Sequence, residues 1–271
     1  MFAGKTLGII GAGKLGEAIA LGLLNRGVIQ RHSLLCSVKH ESSAARVRAK
    51  LGIEPIFPNR ALAERSDVIL LAVKPQNVET VCADICDILQ PSQLIISVAA
   101  SVTTSYIEER LGKPIPVIRA MPNTPAVINA AMTALCKGKF AMPQHLDLAM
   151  EIFRAVGEVV ELDEALFDGV TALSASGPAY IFVVIEALAE AGVKLGIPRE
   201  ISTLLVSQTM LGAAKLALET KQHPALLKDS VTTPAGCTID GLLELEDGGL
   251  RVTLIKAVVK AAERASELVK K

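Results

Sequence analysis

The sequence predicts an α/β protein: a doubly wound, mostly parallel sheet over residues 1–162, followed by an all-helical half over 163–271. Three observations predict it. Short apolar runs alternate with helical patterns as far as Leu162. The first of these runs passes directly into a glycine-rich turn. Beyond Leu162 the strand signals stop, and segments rich in alanine and leucine take over.

Leu7–Ile10 reads as a buried strand, and Gly11-Ala12-Gly13-Lys14-Leu15-Gly16 gives the spacing G-x-G-x-x-G before a helix. Gly11 permits the tight turn, Gly13 lets backbone approach a pyrophosphate, and Gly16 lets helix and strand pack closely. The N–H groups at the helix start suit that anion. This is the Rossmann-type arrangement for a dinucleotide; a tight turn without a ligand is the plainer alternative. The helix is expected to stop at Gly27.

Ser33–Ser37 is the second strand. An NAD site places a carboxylate near its end to hold the ribose hydroxyls. Here Ser37-Val38-Lys39-His40 precede the first carboxylate, Glu41. Ser37 and Lys39 suit a 2′-phosphate by hydrogen bond and charge, which favours NADPH over NADH. Lys39 as a solvated loop lysine is the alternative.

Ser43–Leu51 is expected to be helical and to end at Gly52. A short strand and a short helix should follow, with Asn59 in the loop between them. Asp67–Val73 is a strongly apolar strand broken by Lys74-Pro75, and Pro75 suits the start of the next helix. Ala72, Val73, Lys74 and Pro75 therefore stand at a strand's carboxyl end, where open α/β sheets bind ligands. Leu94–Val98 repeats the pattern and runs into Ala99-Ala100-Ser101, small enough to admit a ring or ribose, or simply to pack closely. Pro116–Ile118 leads to Met121-Pro122-Asn123-Thr124-Pro125, too rigid for helix or central strand. Asn123 and Thr124 offer polar groups from that turn. Ala131–Leu135 and Glu158–Glu161, with a helix near Gln144–Ala155, close the sheet.

The helical half should hold a long apolar helix over Asp168–Leu195, interrupted at Ser174-Ala175-Ser176-Gly177-Pro178. A second helix spans Arg199–Thr220, a polar loop Lys228–Thr238, and a last helix with a periodic apolar face Leu250–Val269.

The totals exclude several classes. Basic and acidic residues balance at 28 each, so no general nucleic-acid footprint exists. A mean hydropathy of +0.43 calls for a membrane or a large subunit interface. Gly169–Ile185 carries no charge, but it includes Ser174, Ser176, Gly177 and Pro178 and falls short of the ~20 residues a span needs. A helix buried in protein is therefore expected. The chain enters its first strand almost at once, so no targeting peptide is expected. Five cysteines without metal-type spacing read as reduced thiols of a cytoplasmic protein, and no metal site is expected.

With these motifs in order, the chain resembles pyrroline-5-carboxylate reductase. Beyond the glycine turn, the resemblance rests on Ala72-Val73-Lys74-Pro75, Val98-Ala99-Ala100, Arg119 and Met121–Pro125. It is strongest in Leu173–Tyr180, Glu186–Ala189, Leu211–Ala214, His223-Pro224, Leu227–Asp229, Pro234, Gly236 and Thr238-Ile239. The resemblance implies hydride transfer from NADPH to the C=N bond of Δ1-pyrroline-5-carboxylate, giving L-proline. It implies cofactor contacts from Gly11, Ala12, Gly13, Lys14, Leu15, Ser37, Lys39, Asn59, Ala72–Pro75, Val98, Ala99 and Ala100. The substrate would meet Asn123, Ser176, Gly236, Cys237 and Thr238. Backbone N–H groups of 236–238 would hold its carboxylate at a helix start, and the Thr238 hydroxyl would orient the imine and relay a proton. Thr238 as a simple helix N-cap is the alternative. The resemblance also implies a homodimer, or a larger ring such as a decamer, through the C-terminal helices, with a catalytic cleft completed by them.

The chain departs from the family pattern at Ala175 and Ala235, where glycine is common, at Cys237, and at Lys221. Alanine at 235 is comfortable only with negative φ. Two rivals are weaker. β-Hydroxyacid dehydrogenases need a lysine four residues after a glycine in the first long helix, and Ile181 stands there. An NADP(H)-binding protein without turnover would not need the Ser174–Tyr180 and Pro234–Thr238 regions intact.

Overall fold

The structure, a computed structural model, describes residues 2 and 4–269. These residues divide into two compact units, Met1–Ser176 with Ala261–Lys271, and Gly177–Lys260.

The first unit alternates strand and helix. In order come β1 (Leu7–Ile10), α1 (Lys14–Asn25), β2 (Leu34–Ser37), α2 (Glu41–Leu51), α3 (Asn59–Ala63), β3 (Val68–Leu71) and α4 (Val78–Ile85). Then follow β4 (Leu94–Ser97), α5 (Thr104–Leu111), β5 (Val117–Met121), β6 (Ala131–Lys137), α6 (Pro143–Arg154), β7 (Gly157–Glu161) and α7 (Phe167–Val170). The described residues form one seven-stranded sheet, ordered β2-β1-β3-β4-β5-β6-β7. All neighbours run parallel except β5 and β6. This is the expected Rossmann-type, mostly parallel sheet. β1 to β5 are buried throughout, because helices cover both faces of a parallel sheet. One face packs on α1, α2 and α6 through Ile19, Leu23, Val47, Ile152 and Phe153. The other packs on α3, α4 and α5 through Leu62, Val81, Ile85 and Ile107.

Several local expectations change. No strand forms between Gly52 and Asn59 among the described residues. Pro55 and Pro58 lack the N–H groups a ladder needs, and Ile56 N–H makes a bond, to Cys36 O at 2.8 Å. Asn59 is not a loop residue but the first residue of α3. Met121 belongs to β5, and Thr124–Ile128 is a 3₁₀ turn. The break in the long helix is a π-helical turn, Thr171–Ala175, in which Ser176 N–H donates to Thr171 O at 2.9 Å.

The boundary expected after residue 162 differs from the division at 176. Residues 164–175 pack on the sheet: Phe167 is fully buried against Met121, Ala134 and Cys136, and Glu164 pairs with Arg119 of β5.

The second unit is helical: α8 (Gly177–Lys194), α9 (Arg199–Thr220), α10 (Pro224–Ser230), α11 (Cys237–Asp247) and the first part of α12 (Leu250–Val269). The loop expected over 228–238 is shorter, since 228–230 end α10 and 237 starts α11. α8 and α9 approach closely at Gly192, where a Cβ would strike Ser202. Ser202 Oγ is buried and donates to Ala189 O at 2.8 Å. Little else is covered. α8 buries Ala189 and α9 buries Ser202, while Phe182, Val183, Leu204 and Leu211 stay open. The expectation that 169–185 is buried in protein is therefore not met within one chain. Glu164–Lys194 and Arg199–Thr220 are long and apolar enough to cross a membrane by length and composition.

Candidate active site

Strand order reverses between β1 and β3, which opens a crevice at the carboxyl ends of these strands. The glycine turn sits on it. Gly11 has φ +94°, and a Cβ there would lie 2.8 Å from Ala72 O and 2.8 Å from Val73 Cγ1. Glycine is thus required both by conformation and by contact. Gly16 packs the helix down, with a virtual Cβ 2.9 Å from Gly11 O and 3.1 Å from Ile9 Cγ2. Gly13 differs: it is the N-cap of α1 at φ −81°, and the nearest atom to a Cβ is 4.0 Å away. That open backbone at a helix start fits a pyrophosphate, as the dinucleotide reading requires. Lys14 is exposed and Leu15 half-buried beside it.

Four adjacent strand ends bring the other expected cofactor residues to the same edge. Gly11 and Ala12 N–H both donate to Ser37 O, at 3.1 and 2.9 Å, so the glycine turn is tied to the end of β2. Ser37 Oγ, almost wholly buried, donates to Asn59 Oδ1 at 2.9 Å, which joins two of the expected cofactor residues. Lys39 is exposed just beyond them. Ala72 N–H donates to Ile10 O and Val98 N–H to Leu71 O, linking β1, β3 and β4. Val98 and Ala99 are buried, whereas Ala100, Lys74 and Pro75 are exposed. A cavity of about 480 Å³ lies beside Pro75 and Ala100, lined also by Ser101, Tyr106 and Leu268.

Sequence reasoning missed the support beneath the turn. Glu17 of α1 is buried and pairs with Arg46 Nε at 2.8 Å and with Lys50. Arg46 Nη2 also donates to Ala12 O at 3.4 Å. The signal available was an acid within the apolar face of α1, which must find partners when buried.

Of the expected substrate residues, Asn123 and Ser176 lie in the first unit. Asn123 is committed to its own surroundings: Oδ1 accepts from Met132 N–H at 3.0 Å, and Nδ2 donates to Ser174 O and Oγ at 3.3 and 3.4 Å. Its amide therefore holds the π turn to the sheet. Ser176 ends that turn, half-buried.

Gly236, Cys237 and Thr238 lie in the second unit. Gly236 is the N-cap of α11, so Thr238 is the second helical residue and not the cap. A Cβ at Gly236 would strike Thr233 Oγ1 and lie 3.1 Å from Thr233 O. Cys237 and Thr238 N–H fall among the first helical donors, which have no intrahelical acceptor. Cys237 is exposed and Thr238 half-buried. The Thr238 hydroxyl has no hydrogen-bond partner among the described residues. Ala235 has φ +55°, so alanine sits in the left-handed region and the negative-φ condition fails. Lys221, φ +53°, is likewise left-handed, at the end of α9.

Cys36, Cys82 and Cys136 are buried, and burial pushes their thiols up to about 12, 11 and 12. They are inert packing residues. No cluster of metal-ligating side chains occurs among the described residues.

Comparison with known proteins bears on both halves. Residues 164–268 match the family model for pyrroline-5-carboxylate reductase dimerisation, and 6–101 match that for NADP oxidoreductase, coenzyme F420-dependent. A pyrroline-5-carboxylate reductase of Methanosarcina acetivorans is 43% identical over 98% of this chain and 99% of its own length. That of Arabidopsis thaliana is 41% identical over 97% and 95%. Among solved structures, the Coxiella burnetii enzyme aligns with a TM-score of 0.92 at 39% identity, covering 98% of this chain and 99% of that one. The Plasmodium falciparum pyrroline carboxylate reductase, solved with NADP bound, aligns with a TM-score of 0.87 at 31% identity, covering 98% of each. With relatives this similar over nearly its whole length, the chain belongs to the pyrroline-5-carboxylate reductase family of oxidoreductases.

Proposed function

We propose that this chain reduces Δ1-pyrroline-5-carboxylate to L-proline, the closing step of proline synthesis, with NADPH as the preferred donor. The observation that carries the reading is the likeness to reductases of that name through both halves of the chain. The nicotinamide, when bound, supplies the hydride. The protein's tasks are to hold the cofactor, seat the substrate anion and meet the imine nitrogen.

The open backbone at Gly13 and the start of α1 take the pyrophosphate, with Ala12, Lys14 and Leu15 beside it. Ser37 and Asn59, already hydrogen-bonded, form the ribose end, and exposed Lys39 meets a 2′-phosphate. Ala72–Pro75 and Val98–Ala100 line the nicotinamide end. The open N–H groups of Cys237 and Thr238 suit the substrate carboxylate, whereas that of Gly236, expected to join them, donates to Thr233 O at 3.0 Å and instead shapes the turn. The free hydroxyl of Thr238 orients the imine nitrogen. A neutral threonine is a weak acid, so it relays a proton from water rather than supplying one. Asn123 and Ser176 act here through the π turn that Asn123 braces.

A second copy covers the apolar helices, making at least a homodimer and at most a ring of dimers. Support comes from the bare surfaces of α8 and α9 and from the dimerisation model matched there. The same cover, rather than lipid, accounts for the two long apolar segments. The buried, unpaired thiols agree with a cytoplasmic setting. The balanced charge argues against a nucleic-acid partner.

The test is the loss of reduced-nicotinamide absorbance with pyrroline-5-carboxylate, using NADPH and NADH in parallel. A folded sample that oxidises neither sinks the enzyme reading. Thr238→Ala should lower kcat/KM for the imine and leave NADPH affinity nearly intact; the reverse pattern removes Thr238 from the substrate site. A monomer at micromolar concentration in sedimentation would refute the dimer.

A further inference from the structure

One charged cluster in the first unit has no part in the roles assigned so far. Arg119 lies within β5, only 2% exposed, among apolar neighbours. Its Nη1 donates to Glu164 Oε1 at 3.1 Å, and its guanidinium carbon lies 4.7 Å from the centroid of the Phe167 ring. Glu164 also accepts from Thr104 N–H at 2.8 Å and from Thr104 Oγ1 at 2.6 Å. Arg119 Nε and Nη2 are buried and have no partner among the described residues. The guanidinium therefore depends on a single carboxylate, an expensive arrangement in the interior.

What that carboxylate connects matters more than its energy. Thr104 is the first residue of α5, directly after the segment 98–103 that begins with the expected nicotinamide-end residues. Arg119 stands four residues before Asn123, which braces the π turn at Ser174. Glu164 opens the segment that carries Phe167 and that same turn. Three pieces of chain thus meet on one side chain: the start of α5, which follows the loop after β4, the middle of β5, and residues 164–175.

We propose that Arg119 and Glu164 are positioning residues for hydride transfer, fixing the nicotinamide-end loop and the π turn in one arrangement. The proposal rests on the reductase reading above. Neither residue belongs to the pyrophosphate and ribose end, so NADPH affinity should survive their loss while the reacting geometry does not.

The experiment compares Arg119→Met, Glu164→Gln and the double variant, each by kcat, imine KM, NADPH dissociation constant and thermal midpoint. Each single change should lower kcat by up to about 100-fold and by no less than a few-fold, since a misplacement near 1 Å can cost about that much. NADPH affinity and imine KM should stay within a few-fold of the parent. The double variant removes the buried charge of Arg119 together with its partner's, so its thermal midpoint should recover relative to Glu164→Gln while kcat stays low. If kcat recovers along with stability, the pair is only structural and the proposal falls. Should the singles fail to fold, Thr104→Val removes one bond to Glu164 without burying a charge. It should lower kcat at unchanged NADPH affinity, and an unchanged kcat overturns the proposal. A parent enzyme that turns over while these variants do too defeats this inference alone; a parent that does not turn over defeats the reductase reading.

Discussion

Gly11 and Gly13 stand two residues apart, yet alanine at each should fail for a different reason. At Gly11, φ +94° puts an alanine in backbone strain of about 1–3 kcal/mol. Its Cβ would also press on Ala72 O and Val73 Cγ1, both at 2.8 Å, and backbone cannot swing away as a side-chain end can. Overpacking of that kind costs about 1–3 kcal/mol more. Together, Gly11→Ala should remove about 2–6 kcal/mol from a domain whose whole stability is about 5–15 kcal/mol. Gly13 has negative φ and open space, and replacing glycine by alanine at an N-cap costs about 1 kcal/mol or less. Its methyl instead occupies the approach of the pyrophosphate. Urea unfolding of the protein without cofactor, with NADPH titration by nicotinamide fluorescence, separates the two. Gly11→Ala should lose both stability and binding. Gly13→Ala should lose no more than about 1 kcal/mol of stability and about tenfold or more in affinity, equivalent to about 1.4 kcal/mol. A Gly13→Ala protein that binds NADPH like the parent, or a Gly11→Ala protein of unchanged stability, would refute the reasoning.

Three further outcomes are expected. Ala235→Gly should raise the unfolding free energy by up to about 1.6 kcal/mol. The left-handed alanine costs about 1–2 kcal/mol, and the added freedom of the unfolded glycine returns about 0.4–1 kcal/mol; a net loss in chemical denaturation contradicts this. The thiols of Cys36, Cys82 and Cys136 are raised from 9.0 in the folded state, so the unfolded chain ionises first as pH climbs. Their stabilising effect is complete below about pH 9 and is lost toward pH 11–12, at about 1.4 kcal/mol per pH unit per thiol. Equilibrium unfolding across that window checks the slope, and iodoacetamide at neutral pH should leave all three unlabelled until the protein unfolds. Finally, Lys39→Glu should weaken NADPH far more than NADH, read from the ratio of kcat/KM values; equal losses would mean that Lys39 is only a solvated loop lysine.

The sheet was legible because its cause is local. Four-residue apolar runs such as Val68–Leu71, followed by helical periods, leave few other folds. That Gly11, Ser37, Ala72 and Val98 meet at one edge was legible too, since each closes a strand and the parallel order gathers those ends. What escaped depends on tertiary pairing. The segment 53–58 reads as a strand by its isoleucines, but its prolines deny the ladder. Residues 228–230 read as loop by polarity, and became helix because exposure in α10 tolerates it. The attachment of 164–175 to the sheet turns on Phe167 and on an ion pair 45 residues apart, which no local pattern announces. In the helical half, apolar content was plain, but which surface it covers lies outside a single chain.

The first unit is not closed by a contiguous stretch of chain. The polypeptide leaves it at Ser176 and returns at Ala261; Ala265 is buried there, and its carbonyl accepts a hydrogen bond from Ser101 Oγ at 3.4 Å. Ser101, φ +60°, follows directly on Ala100. During synthesis the amino-terminal residues of the sheet emerge first and fold as a unit where they are able. The loop after β4 gains this cover only once the 84 residues of the second unit have been made. A cut or a fusion placed close to Ala265 therefore acts on the loop after β4 as well as on the helix it interrupts.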